Sequence, residues 1–311
     1  LPEERILAWH QHETDGAIES VCSISEGNFD NLYVVVKRGD ERSIERLVQS
    51  RRESLEDSVY LDASVKHDGT NTGPFRLGIS SLGLYKSGDS VTVDAYDDDS
   101  ADPKKGLFAK IDESSIVEFS SGDNKCRVSF DTYVSETQFT GTLLSDLPDD
   151  LKNAPTTSWA FGYKTFSGFS HLASQSIQVL IDGKTEKTVT VSAAGTITLA
   201  DHAVKVCGGI PFTSRAKTLP LSLETEAGAQ GRTKSVNQIF VRVDNSGALK
   251  VGVDESDLKS VTELKDDTLQ SGEFQTSVPS TWNPEGDIVI EASGASPATV
   301  LNITAQVSLG D

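Results

Sequence analysis

The chain has no methionine, three widely spaced cysteines and no long apolar run. Cys22, Cys126 and Cys207 form no CxxC pair, so neither a zinc site nor a disulfide framework is expected, and the thiols read as free and buried. Without eighteen consecutive apolar residues, or a basic-then-apolar leader, nothing points to a membrane. The missing methionine makes the chain read as a fragment or a processed product. Basic residues are scarce: 28 Lys and Arg stand against 47 Asp and Glu, for a formal charge of -19. That balance opposes a grip on nucleic acid through phosphate neutralisation; it suits a surface past which a polyanion slides and equally an ordinary solubilised secreted or virion surface.

Catalytic signatures are missing too. GxSxG, HExxH, P-loop and GxGxxG patterns are absent, so no catalytic or cofactor-binding residue is assigned. Two carboxylates suffice for glycoside hydrolysis, which the acidity leaves open. His10 and His12 share a strand face without a third ligand, so no metal is expected there. The run Asp97–Asp102 lacks the glycine and glutamate of an EF-hand loop and reads as a solvated tip. Asn302-Ile303-Thr304 is a glycosylation sequon by pattern, inside a strand.

What is present is period-two alternation closed by Gly, Asp, Asn and Ser, the mark of strands and turns. Ser90–Tyr96, Ile177–Leu180, Thr188–Val191, Thr196–Leu199 and Ile239–Val243 all show it, and no segment repeats apolar residues at helical spacing. The fold class is therefore all-β and multi-domain. Residues 1–57 hold four strand-like runs, Arg5–His12, Ala17–Ile24, Leu32–Lys37 and Arg42–Leu47, enough for one propeller blade. A lone blade cannot bury both faces, so its neighbours are expected upstream of Leu1. The polar Ser50–Asp57 reads as a linker or a short helix. Residues 58–159 form a small β insert, with strands at Ile116–Phe119 and Cys126–Tyr133. The turn-rich Leu147–Thr157 suggests a boundary, and residues 160–311 form C-terminal, sandwich-like β structure, with a loop at Glu224–Lys234.

The run Phe169–Pro211 resembles a recurring stretch of the tail tubular, or nozzle (tail-hub), proteins of short-tailed bacteriophages. His171 and Leu172, Asp182 and Gly183 after a Val-rich strand, Gly195 before an Ile-Thr-Leu strand, and Gly209 with Pro211 fall on the pattern. Trp9, Gly16 and the segments ILAWHQHETDGAIESV and LYVVVKRGDERSIERL resemble the blade preceding that domain, and SPATVLNITAQVSLGD its closing strands. The segments GLYKSGDSVTVDAYDDD and TGTLLSDLPDDLKNAPTTSWAFG are similar to the small β half-domain of ubiquitin-activating enzymes, without that enzyme's chemistry.

The resemblance implies a structural, non-enzymatic virion protein of the tail. It would form a ring of about six copies on the portal and adaptor proteins, in contact with tail fibres or spikes, with DNA passing through unbound. His171 would then make a structural hydrogen bond. A carbohydrate- or receptor-binding adhesin module is the alternative. It needs exposed aromatics, whereas Trp9, Trp159 and Trp282 all lie in apolar strand patterns that suggest core positions.

Overall fold

A computed structural model of the chain describes residues 11–27, 29–48, 59–69, 75–80, 83, 85–97, 105–122, 124–152, 155–183, 185–221, 232–265, 268–279 and 281–310. Among them, helix is confined to single 3₁₀ turns at Lys110–Asp112, Asp149–Leu151 and Ser170–Leu172. The molecule is all-β. It divides into two compact units: Val65–Cys207, and Leu1–Ser64 taken with Gly208–Asp311.

The N-terminal part is an antiparallel three-stranded sheet of β1 (Ala17–Glu26), β2 (Phe29–Arg38) and β3 (Glu41–Arg46), in that order. Three of the four expected blade strands are these; the fourth, Arg5–His12, and Trp9 with it, falls almost wholly outside the described residues. Gly16 directly precedes β1, where a Cβ would lie 2.8 Å from the Lys37 carbonyl oxygen, so only glycine lets the chain turn in against β2. Of the β1–β3 side chains, Val36 is buried, whereas Val21 and Ile44 are 60% and 77% exposed.

The inserted unit begins in β4 (Asp62–His67) and continues through β5 (Phe75–Ile79), β6 (Ser90–Asp97), β7 (Ile116–Ser121), β8 (Asn124–Ser129), β9 (Thr132–Ser135) and β10 (Gln138–Thr142). It is completed by β11 (Trp159–Phe166), β12 (Ser176–Ile181), β13 (Thr185–Thr190), β14 (Ile197–Ala203) and β15 (Val206–Ile210). The sheets β5-β6-β10-β9 and β14-β11-β7-β8 curl around one core as a half-barrel, and isolated bridges tie Leu77 of β5 to Thr156 before β11 and Val128 of β8 to Leu143 after β10. Alternate residues point inward, so Val91, Val93 and Ala95 of β6 meet Val117 and Phe119 of β7 and Cys126 and Val128 of β8.

Phenylalanines fill the centre. Phe130 stacks on Phe139 at 4.1 Å, and Phe108 meets Phe139 edge-on at 4.9 Å. Each such burial contributes about 1.5–3 kcal/mol. Trp159 is buried and donates its indole N–H to the Phe75 carbonyl at 2.9 Å. The expected boundary at 159/160 thus falls within β11, where Trp159 pairs with Phe119 and Ala160 with Glu118. The turn-rich stretch before it is anchored by Leu147 and Leu151 in the same core. A further sheet, β13-β12-β15-β4, carries the chain into the unit within β4 and out of it within β15.

The last hundred residues form a two-sheet sandwich. One sheet, β16-β22-β18-β19, uses β16 (Thr213–Lys217), β18 (Lys250–Gly252), β19 (Lys259–Ser260) and β22 (Val289–Ser293). The other is built on the long β17 (Lys234–Ser246), which pairs with β20 (Gln270–Ser277), β21 (Trp282–Asn283) and β23 (Thr299–Leu309). Ile239, Val241 and Val243 of β17 pack against Val251 of β18 and Ile290 of β22 between the sheets.

Candidate functional site

The residues singled out by the family resemblance hold the backbone together. Asp182 sits in the β12–β13 turn at φ +50°, followed by Gly183 at +69°. Its Oδ1 accepts the N–H groups of Val204 at 3.0 Å and Lys205 at 2.8 Å. Its Oδ2 accepts from Arg127 at 2.6 Å, and the same guanidinium donates to Glu118 at 2.7 Å. One side chain thereby ties the β12–β13 turn to the β14–β15 connection and to β7 and β8. Gly195, at φ +71°, lies so close to Ser170 that a Cβ would meet its N at 2.6 Å. That contact seats the 3₁₀ turn holding buried Leu172 and exposed His171. In the other unit, Gly209 runs against β4, where a Cβ would lie 2.6 Å from the Asp62 carbonyl oxygen. Pro211, which has no N–H to donate, ends β15.

A second junction, in the N-terminal part, centres on Arg38. Its guanidinium pairs with Glu45 and reaches Asp62 at 3.3 Å, while Thr14 donates to Asp62 at 2.8 Å. The Asp15 N–H donates to the same carboxylate at 2.7 Å. No family model matches the chain, and no curated protein matches it in sequence.

Chemically these are structural sites. Among the described residues no three His, Cys, Asp or Glu side chains are placed to hold a metal ion, and no helix is long and apolar enough to cross a membrane. A cleft of about 200 Å³ opens beside His67, Asp68, Tyr163 and Thr165. His67 donates there to the Ser167 carbonyl at 2.8 Å and packs on Phe166, so its ring serves the fold. His10 and Asp98 to Asp102 lie outside the described residues. Asp97 ends β6, 3.3 Å from Lys105.

Among the described residues, many of the basic side chains pair with carboxylates. Arg42 meets Glu19 at 2.7 Å, and Arg215 and Lys250 converge on Glu291 at 2.8 and 3.1 Å. Lys217 lies 2.5 Å from the buried Asp287. With 47 acidic residues against 28 basic ones, the charge in surplus is acidic.

Two expectations are corrected. Cys126 and Cys207 are buried, but Cys22 is exposed, because the sheet β1–β3 is open on the side it faces. Trp282 does not serve the core: it is 56% exposed, on a two-residue strand where its alternating pattern is too short to settle a direction. The signal that could have found it is the Asn283 side chain, which accepts the N–H groups of Glu285 and Gly286 and turns the chain away directly after the tryptophan.

Proposed function

We propose that this chain is a structural, non-enzymatic subunit of a short-tailed phage tail, of the tube or nozzle type. It assembles in closed rings of about six copies on the adaptor and portal complex, alongside fibre or spike proteins. Genomic DNA passes through the ring without specific binding. The observation that carries the reading is the sheet β1–β3, with apolar side chains bared on both faces. Val21 belongs to one face and Ile44 to the other, and such a sheet needs neighbours on both sides. The motif residues support it too, since Asp182, Gly195 and Gly209 occupy positions that other side chains would disrupt. The pairing of bases with carboxylates supports weak contact with a polyanion, with repulsion screened over about 8 Å at physiological salt.

Mass photometry and negative-stain microscopy of the parent protein, with and without the adaptor, test it. Closed rings are expected; a monomer indifferent to the adaptor refutes it. A carbohydrate-binding adhesin module is the second reading, and one observation favours it: the exposure of Trp282.

A further inference from the structure

We propose that the outward face of the sheet built on β17 binds a neutral oligosaccharide, with Trp282 and Phe240 as stacking platforms. The inference rests on the binding-module reading and is independent of the tail-conduit reading.

Strand register defines the face. Ile239, Val241 and Val243 point into the sandwich with Phe274 of β20 and Ile303, Ala305 and Val307 of β23, so the residues between them point out. Directly opposed residues share a face. Phe240 stands between Gln275 and Thr304, and Gln238 between Ser277 and Gln306. Trp282 and Ser308 flank Ser235 at the end of the sheet.

Because β23 pairs with β17 from Lys234 to Asp244, β20 and β21 share its other edge and act as one interrupted strand. The register shift between Val236 and Gln238 keeps Ser235, and Trp282 with it, on the side of Phe240. The two rings are therefore separated by about 13 Å along the strands, at ~3.3 Å per residue. That span suits several linked sugar rings rather than one.

The chemistry around the rings fits hydroxyl groups. Gln238, Gln275, Gln306 and Asn302 are amides, each with a donor and an acceptor, as a vicinal diol presents. An aromatic face accepts the apolar C–H surface of a pyranose. Charge complementarity selects the class of ligand. On a chain of formal charge -19, the rungs from Arg242 to Ser235 carry one charge of each sign, Arg242 opposite Glu273. An anionic glycan or nucleic acid would find no basic stripe, and a polycation only one carboxylate. An uncharged polyol matches.

Affinity electrophoresis of the full chain in gels containing glucan, mannan, galactomannan or xylan, with polygalacturonate as the anionic control, tests the face. Retardation by at least one neutral polysaccharide is expected, with affinity falling about tenfold in Trp282→Ala. A smaller, several-fold loss is expected in Gln275→Ala, whose exposed side chain leaves the fold and thermal unfolding unchanged. Retardation that survives Trp282→Ala overturns this face while leaving the binding-module reading in place. No retardation in any gel overturns both. A blue shift of tryptophan emission with protein concentration alone, lost in Trp282→Phe, makes a second copy the occupant and also overturns the inference.

Discussion

Replacing Asp182 separates three duties of one side chain. Its Oδ1 accepts two backbone N–H groups, its Oδ2 holds Arg127, and its backbone sits at φ +50°. Asparagine keeps an oxygen for the N–H groups and tolerates the left-handed region, so Asp182→Asn loses only the ion pair. Arg127 is 30% exposed and remains bonded to Glu118, which limits that loss to about 1 kcal/mol. Alanine also leaves the Val204 and Lys205 N–H groups without an acceptor, at about 1–3 kcal/mol each, and adds ~1 kcal/mol for the backbone. Asp182→Ala is thus expected to cost about 4 kcal/mol or more.

With two units in the chain a single global transition is the wrong readout. Hydrogen exchange of peptides covering residues 200–210 isolates the local effect. The Val204 and Lys205 amides should lose most of their protection in Asp182→Ala and little in Asp182→Asn. Equal protection in the two variants refutes the claim that this carboxylate organises the β14–β15 connection.

Gly195→Ala brings a Cβ against the Ser170 backbone at a left-handed φ, so the thermal transition of the Val65–Cys207 unit should lose about 2 kcal/mol or more; an unchanged midpoint for that transition contradicts the packing. Burial pushes the Cys207 thiol up to about 11 and raises Cys126, so at mild alkaline pH a thiol reagent should label Cys22 fast in the native chain and all three only after unfolding. Fast labelling of a second native thiol would count against that burial. The Arg215 guanidinium, working against burial and helped by Lys250, holds the Glu291 carboxyl below its ordinary value. A depressed carboxylate stabilises at neutral pH and loses that contribution as pH falls through its folded value. Glu291→Gln should therefore flatten the loss of sandwich stability between about pH 5 and pH 3 in urea unfolding, and an unaltered slope would show that the pair contributes nothing.

Strand placement was legible because side-chain alternation is a local property. Ser90–Tyr96 lies within β6, Ile177–Leu180 within β12 and Ile239–Val243 within β17. The pattern at Cys126–Tyr133 was less complete, since Phe130 and Asp131 interrupt it and divide it into β8 and β9. The left-handed turn at Asp182 and Gly183 could likewise be read from residue type.

Pairing between distant strands could not be read in that way. The passage between units lies inside β4 and β15 rather than in a turn-rich stretch, because a strand's neighbours are chosen by burial across the fold and not by local composition. The Arg127–Asp182 contact joins residues far apart in the chain for the same reason. Sequence alone determined an all-β chain with surplus acid and free thiols. Only the tertiary structure decided that Trp282 and Phe240 share one outward face, since that follows from the pairing of Ser235 with Trp282 and from one irregularity in the ladder between Val236 and Gln238. A one-residue change of register would turn every side chain to the opposite side, and no local pattern in so short a strand encodes it.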